Sequence, residues 1–498
     1  MLQCNGRSPC LLMTDTTSLL IGAKHSHLHG CHAVVIGSGP NGLAAAIVLA
    51  QAGYGVEVHE AQPTIGGAAR TLPLTVPGFL HDFGSAIHAL AAGSPFFSSL
   101  PLEKHGVEWI HPPAPLAHPL GDGTAVMLER DVNDAAGALG ADGNRWRSIF
   151  GPLAESWPKL AEEILQPVIH FPHHPFLLAR FGIPAVMPAN LFTSAFFKNA
   201  GTRALFGGIA AHSFLPLDAL LSSSGGVMLS AAAHAVGWPM ARGGAQSLTN
   251  ALGSILIELG GCIHTNSPVT SLDCFARDTL FLCDVSPRQL LAITGHRLKQ
   301  DFQQSLNDFK PGPGAFKVDY ALSQPMPWKA ADCLRAGTVH LGGTFEEIAA
   351  SERAVANGQA PERPFVLLVQ PTLFDKTRAP EGKHIAWAYC HVPNGSTVDM
   401  TERIEAQIER FAPGFRDCIL ARHISSPATL ESMDANLIGG DISGGAMTLR
   451  QTILRPTRRN YATSDPNIFI CSASTPGVGG VHGMCGYHAA RVALKRSC

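Results

Sequence analysis

Residues 33–71 read AVVIGSGPNGLAAAIVLA (33–50), QAGYGVEVHEA (51–61) and QPTIGGAART (62–71). The run 33–36 is short, apolar and rich in β-branched residues, which suits a strand buried on both faces of a parallel sheet. Gly37, Gly39 and Gly42 follow at once in G-x-G-x-x-G spacing, with Ser38, Pro40 and Asn41 between them. Residues 43–52 are alanine-rich and apolar, as expected of a helix packed closely on a sheet. Gly53 and Gly55 end it, and 56–59 reads as a second strand closed by Glu60, 18 residues past Gly42. In such a unit the three glycines have separate tasks: a tight turn out of the strand, close approach of backbone to a pyrophosphate, and close packing of helix on strand. Free N–H groups at the helix start meet phosphate charge, and the acid accepts hydrogen bonds from ribose hydroxyls. Strand, glycines, helix, second strand and acid fall in the order that a dinucleotide site requires. Gly37, Ser38, Gly39, Pro40, Asn41, Gly42 and Glu60 are its predicted contacts.

Beyond the acid stand Gly66-Gly67 and then Arg70-Thr71. Here the chain resembles the FAD-binding flavoprotein superfamily of amine oxidases and phytoene desaturases, and within it the phytoene dehydrogenase-related group. That superfamily carries G-G-R-x-x-S/T just past the ribose-binding acid. Ala68 occupies the arginine position of the pattern, and Arg70 is the candidate substitute. The resemblance runs over residues 33–495. It implies an α/β fold: a Rossmann-like FAD-binding domain of the glutathione-reductase/amine-oxidase type with an inserted α+β substrate domain. It also implies FAD as cofactor, since an NAD domain has no need of the glycine doublet.

The resemblance further implies contacts from Gly66, Gly67 and Arg70, and from Asp82 and Gly84 in a D-x-G element beside the flavin. It adds the backbone at Val269 against adenine, and Gly480, Val481 and Gly483 in the C-terminal glycine-rich turn. Ser472 and Ser474 replace glycines of the family turn, and a helix start aimed at the flavin pyrimidine would stabilise negative charge there. No catalytic residue is assigned; His88 and His482 are the candidates, with a satisfied core histidine and a purely backbone role as the competing readings. For Asp82 the competing reading is turn capping. His482 and Cys485 are the residues by which a covalent flavin link would be sought.

The resemblance implies that the glycine-rich crossover at 242–248 and the terminal turn return the chain to its first domain. Residues 33–110, 240–292 and 450–498 are expected to form a discontinuous FAD-binding domain, and 111–239 with 293–449 the substrate domain. Residues 1–32 are expected to be a disordered N-terminal extension. Its Cys4, Cys10, Cys31, His25, His27, His29 and His32 fit no usual zinc spacing, so no metal is assigned. Helices are expected over 146–165 and 191–238, strands at 315–322, 339–343, 365–370 and 384–391, and a helix over 399–411.

The chain has 498 residues, 46% of them hydrophobic and only 15% charged, with a net charge of −2. Mean hydropathy is +0.13. That is ample for a large core and gives no basic field for nucleic acid. Twelve cysteines without any C-x-x-C read as reduced thiols. No apolar stretch is long enough to read as a membrane span. A cytoplasmic location, or the mitochondrial matrix for a eukaryotic chain, is the expectation, with peripheral membrane contact open. The apolar stretch 191–238 suits either a greasy channel, a monotopic membrane face or plain core helices. No cysteine pair follows the first βαβ unit and no second G-x-G-x-x-G is present, so neither disulfide reduction nor a standing NAD(P) site is implied. The resemblance implies an FAD-dependent oxidoreductase that moves hydride between an apolar, isoprenoid-like substrate and flavin N5. A redox-neutral flavin-dependent isomerase and a non-catalytic FAD-bound scaffold are the alternatives.

Overall fold

A computed structural model describes residues 32–477 and 479–497. The first apolar run forms the strand His32–Ile36 in the middle of a five-stranded sheet, wholly parallel. The order is Ile468–Ile470, Leu280–Cys283, His32–Ile36, Gly55–His59, Cys262–His264. Alternation sorts the central strand. Ala33 and Val35 join the core with helices Pro40–Gln51, Gln246–Glu258 and Met484–Ser497, while Val34 and Ile36 pack with Leu290 and Phe302 on the other face. Gly42 makes the first of these contacts possible, because a Cβ there would lie 2.1 Å from the Gly37 carbonyl oxygen. Register places Ile36 opposite both His59 and Cys283, and Cys283 opposite Ile470. Gly37, Glu60, Asp284 and Cys471 therefore leave the sheet along one edge, at the C-terminal ends of the strands, where parallel sheets bind ligands.

The second sheet has seven strands in the order Ile419–Ser425, Gly314–Leu322, His384–Val392, Val366–Val369, Ala336–Leu341, Ala114–Pro119, Ala125–Leu128. All pairs are antiparallel except Ala336–Leu341 with Ala114–Pro119. Phe316, Val318 and Tyr320 pack with Ile404, Ile408 and Phe411 of helix Thr401–Phe411. Ala315, Leu367, Val369, Trp387 and Tyr389 occupy the other face and look into the central cavity. Helices Trp157–Ile164, Pro175–Val186 and Ser223–Val236 close that cavity from the far side, and helices Gly143–Glu155, Ala189–Phe196 and Ala200–Ala210 pack behind them. Among the described residues no single helix is long and apolar enough to cross a membrane.

Two findings depart from the sequence expectations, and a third decides between readings left open. Leu298, Phe302 and Leu306 pack with Val34 and Phe281 beneath the parallel sheet, so the chain leaves that layer after helix Gln300–Asn307 and not at residue 292. Ala114–Pro119, Ala125–Leu128 and Ile419–Ser425 are strands that the pattern did not announce. Of the readings open for the apolar stretch 191–238, core holds for Phe192, Phe197, Phe206 and Ile209, buried around Trp146 and Phe150, while Phe214, Met228, Leu229 and Trp238 line the cavity. Residues 1–31, with their histidines and cysteines, lie outside the described residues.

Candidate functional site

The edge of strand ends opens on one continuous cavity of about 1250 Å³. At one end Glu60 is fixed by three donors: the Ser38 N–H at 3.0 Å, the Ser38 hydroxyl at 2.6 Å and the Gln62 N–H at 2.9 Å. Beside it, the Ser267 N–H donates to the Glu60 carbonyl, which carries Ser267 and Val269 onto the cavity wall. Glu57, His59 and His264 bring their donor atoms within 4.8 Å of one another at this edge, a cluster that the sequence reading did not assemble.

The wall continues through Gly37, Ser38, Gly39, Pro40 and Asn41 to Gly67 and Arg70. A Cβ on Gly67 would lie 3.2 Å from the Gly39 Cα, so the two backbones close on the groove with no room for side chains. Arg70 is buried and donates to the carbonyls of Gly67 and Met433 at 2.7 Å each, with its guanidinium 5.1 Å from the Phe83 ring centre.

Two carboxyls absent from the sequence reading stand here. Asp284 leaves its strand and accepts the Gly42 N–H at 2.8 Å, at the first turn of the helix. Burial, with Asp434 and Glu60 nearby, pushes its carboxyl up to about 7, against the pull of the Gly42 N–H. Asp434 is raised too, by burial first, and Arg70 opposes the rise. The only sequence signal for Asp284 was an acid directly after an apolar run, a common arrangement at strand ends.

The C-terminal turn forms the next stretch of wall with Ser472, Ser474, Gly479, Gly480 and Val481. Past it the cavity widens into a chamber of Phe83, Ile87, Leu90, Phe181, Trp238, Trp387 and Tyr389. Trp387 and Tyr389 stack with ring centres 5.7 Å apart. Polar groups in the chamber are few. Lys317 is buried, paired with Asp319, and its ammonium lies 5.4 Å from the Trp387 ring centre. His88 is 1% exposed, neither of its ring nitrogens has a hydrogen-bond partner, and burial lowers its imidazolium to about 4. His212 faces the same space 3.2 Å from His340, and burial lowers it to about 3. Both histidines are neutral at ordinary pH.

Several candidates are turned elsewhere. Asp82 faces away from the cavity: it accepts from the Thr71 hydroxyl and the Ala245 N–H at 2.8 Å each and pairs with buried Arg378 at 3.0 Å. Gly42 and Gly66 sit behind the wall. Gly84 reaches the wall, but its close neighbour is the Ala68 carbonyl, 2.5 Å from where a Cβ would stand. Gly483 packs on Phe97 and Ala44. His482 is buried under the turn, where its Nδ1 accepts the Met484 N–H at 3.0 Å at the start of the last helix. His234 takes the Trp146 indole N–H at 2.9 Å and serves the core. Cys485 is buried and off the cavity.

The groove fits FAD. It is long and continuous from Glu60 and Val269 to Ser474 and Val481, and it is lined by glycine backbone in the middle. It also presents the buried Asn41 Oδ1, which has no hydrogen-bond partner.

Comparison with known proteins agrees. Residues 35–98 match the model of an NAD(P)-binding Rossmann-like domain. Pyridine nucleotide-disulfide oxidoreductase domain-containing protein 2 of Mus musculus is 25% identical, with 93% of each chain covered. The 4,4'-diapolycopen-4-al dehydrogenase of Metabacillus indicus is 24% identical over 51% of this chain and 53% of its own. Among solved structures, an oxidoreductase from Methanosarcina mazei superposes with a TM-score of 0.64 at 15% identity, over 93% of this chain and 100% of that one.

Proposed function

We propose that this FAD-dependent oxidoreductase moves a hydride between an elongated apolar substrate, of isoprenoid-like character, and flavin N5. The observation that carries the reading is the continuity of the cavity: the groove that holds the dinucleotide runs, without a wall between, into a chamber of apolar and aromatic side chains. A relative named as a diapolycopenal dehydrogenase supports the apolar class. Bound FAD supplies a two-electron acceptor, and the protein supplies orientation and a dry site.

On the cofactor side, Glu60 would hold the ribose and the Gly39–Gly67 approach and Arg70 the diphosphate. Val269 would lie against the adenine, and the 472–481 turn would meet the flavin. On the substrate side, the stacked Trp387 and Tyr389 form a flat floor, and Phe83, Ile87 and Trp238 exclude water. His88 is the group fitted to hold a proton: it is a neutral imidazole on the cavity wall with both ring nitrogens unclaimed. Lys317, held by Asp319, is the cation that a developing negative charge or a polar substrate end would meet.

The test is anaerobic titration of the FAD-loaded protein with polyene and terpenoid compounds and, in parallel, with primary and secondary amines. Bleaching of the oxidised flavin band by the apolar series alone is the expected result. Bleaching by amines, with the apolar series inert, would overturn the substrate class.

A further inference from the structure

Helix Pro175–Val186 is apolar on two opposite faces. Leu178, Phe181, Gly182 and Ala185, at helical spacing, line the cavity. Turned half around the helix, Phe176 is 90% exposed and Ile183 70%. The segment before the helix adds Phe171 at 90% and Ile169 at 73%. Val168 and Val186 belong to both surfaces: they line the cavity and are 54% and 43% exposed. The apolar lining of the chamber therefore continues at Val168 and Val186 onto an exposed apolar patch of contiguous side chains, unlike singly scattered surface leucines.

Charge is distributed to match. No Asp or Glu occurs from Ile164 to Leu217, a stretch that carries Arg180, Lys198 and Arg203. Arg203 is engaged by Glu346, but Arg180 and Lys198 are exposed, and the adjoining helix Gly143–Glu155 adds exposed Arg145 and Arg147. Arg145 lies 5.9 Å from the Phe196 ring centre and Arg180, on the patch helix itself, donates to the Ser148 carbonyl, which sets both beside the patch, while Lys198 follows two residues after Phe196. Aromatic side chains projecting from an acid-free segment that carries arginine and lysine form the arrangement that seats a protein in the headgroup layer of an anionic bilayer.

We infer that the surface formed by residues 168–191 docks on an anionic phospholipid bilayer, with the chamber mouth against the lipid so that apolar substrate enters and leaves without crossing water. Its functional meaning rests on the apolar-substrate reading, whereas docking itself is measured with no substrate present, so the two can fail separately. The experiment is co-sedimentation of the FAD-loaded full chain with vesicles of phosphatidylcholine alone and of phosphatidylcholine with phosphatidylglycerol. Phe171→Ser/Phe176→Ser and Arg180→Glu/Lys198→Glu are the variants; the four side chains are exposed, so thermal stability and flavin content should match the parent.

The parent should pellet with vesicles, preferring the anionic ones. The double serine variant should bind roughly tenfold or more weakly, and the charge-reversed variant should lose the preference for anionic lipid. The inference is overturned if the parent stays in the supernatant with both vesicles, or if the serine variant binds as the parent does. It is also overturned if sedimentation velocity shows a dimer of the parent that the serine variant converts to monomer, because a second copy would then cover the patch.

Discussion

Replacing Asp284 by Asn should stabilise the FAD-free protein, and by more as pH rises from about 4 to about 7. The carboxyl is buried at the first turn of the helix that begins at Pro40, receives one N–H from Gly42, and has Asp434 and Glu60 for neighbours. In the folded chain it ionises near about 7, and in the unfolded chain near 3.8. Between those values the folded state holds a proton that the unfolded state has released, so stability falls as pH rises from about 4 to about 7 and is level above. At 1.36 kcal/mol per pH step the upper bound is ~4 kcal/mol, and sharing of the proton with the coupled Asp434 brings the expectation to ~2–3 kcal/mol. Asn keeps the shape and an acceptor for the Gly42 N–H but has no proton to lose. Unfolding entropy of about 2 cal/mol/K per residue makes 1 kcal/mol worth about 1 °C in a chain of this length. Melting curves of wild type and Asp284→Asn from pH 5 to 8.5 should thus diverge, the variant leading by about 2–3 °C at pH 8 and by about 1 °C at pH 5. Profiles that superimpose across the range would mean that Asp284 ionises in the ordinary carboxylate range and would refute the reasoning.

Arg378 is buried and joins Asp82 and the Leu80 carbonyl under the cavity floor. Arg378→Leu should cost about 3–5 kcal/mol by stranding the carboxylate, seen as a drop of several degrees by calorimetry, and Asp82→Asn in the same chain should recover part of it. Burial alone would raise the Asp82 carboxyl, but Arg378, the Ala245 N–H and the Thr71 hydroxyl outweigh it and hold it below the usual range. This pair's stabilisation is therefore present above pH 4 and lost below it. Neither His482 nor Cys485 lines the cavity, so acid precipitation of the purified protein should leave the flavin in the supernatant; yellow colour retained in the pellet would contradict the placement of both residues.

The nucleotide unit was legible because every part of it is local. Strand, turn, helix and acid lie within residues 32–60, and each is set by short-range causes: β-branched alternation, glycine where a Cβ would collide with a carbonyl, alanine where helix meets sheet. The antiparallel strands 314–322 and 384–392 were legible for the same reason. Ala114–Pro119 was hidden by prolines at 115 and 119, which read as irregular chain. Ile419–Ser425 was hidden because Leu420 and Ile424, on its outward face, are as apolar as the inward residues. Asp82 shows the limit of a motif: the D-x-G element is present as written, yet its carboxylate answers to Arg378, nearly three hundred residues on.

The sequence by itself determined the Rossmann-like unit, because it follows from periodicity and turn chemistry that neighbouring residues carry, and the family resemblance of its glycine motifs supplied FAD and the return of the C-terminus to the first sheet. Tertiary structure alone decided which side chains reach the cavity. It brought Asp284 and Asp434 to the diphosphate turn, left His88 unpartnered on the wall and put His482 beneath it. It set Lys317 against Trp387, and it exposed Phe171 and Phe176 while burying the equally apolar Phe192, Phe197 and Phe206. Those outcomes depend on strand order, register and burial between segments far apart in the chain, and such long-range contacts leave no trace in the spacing of adjacent residues.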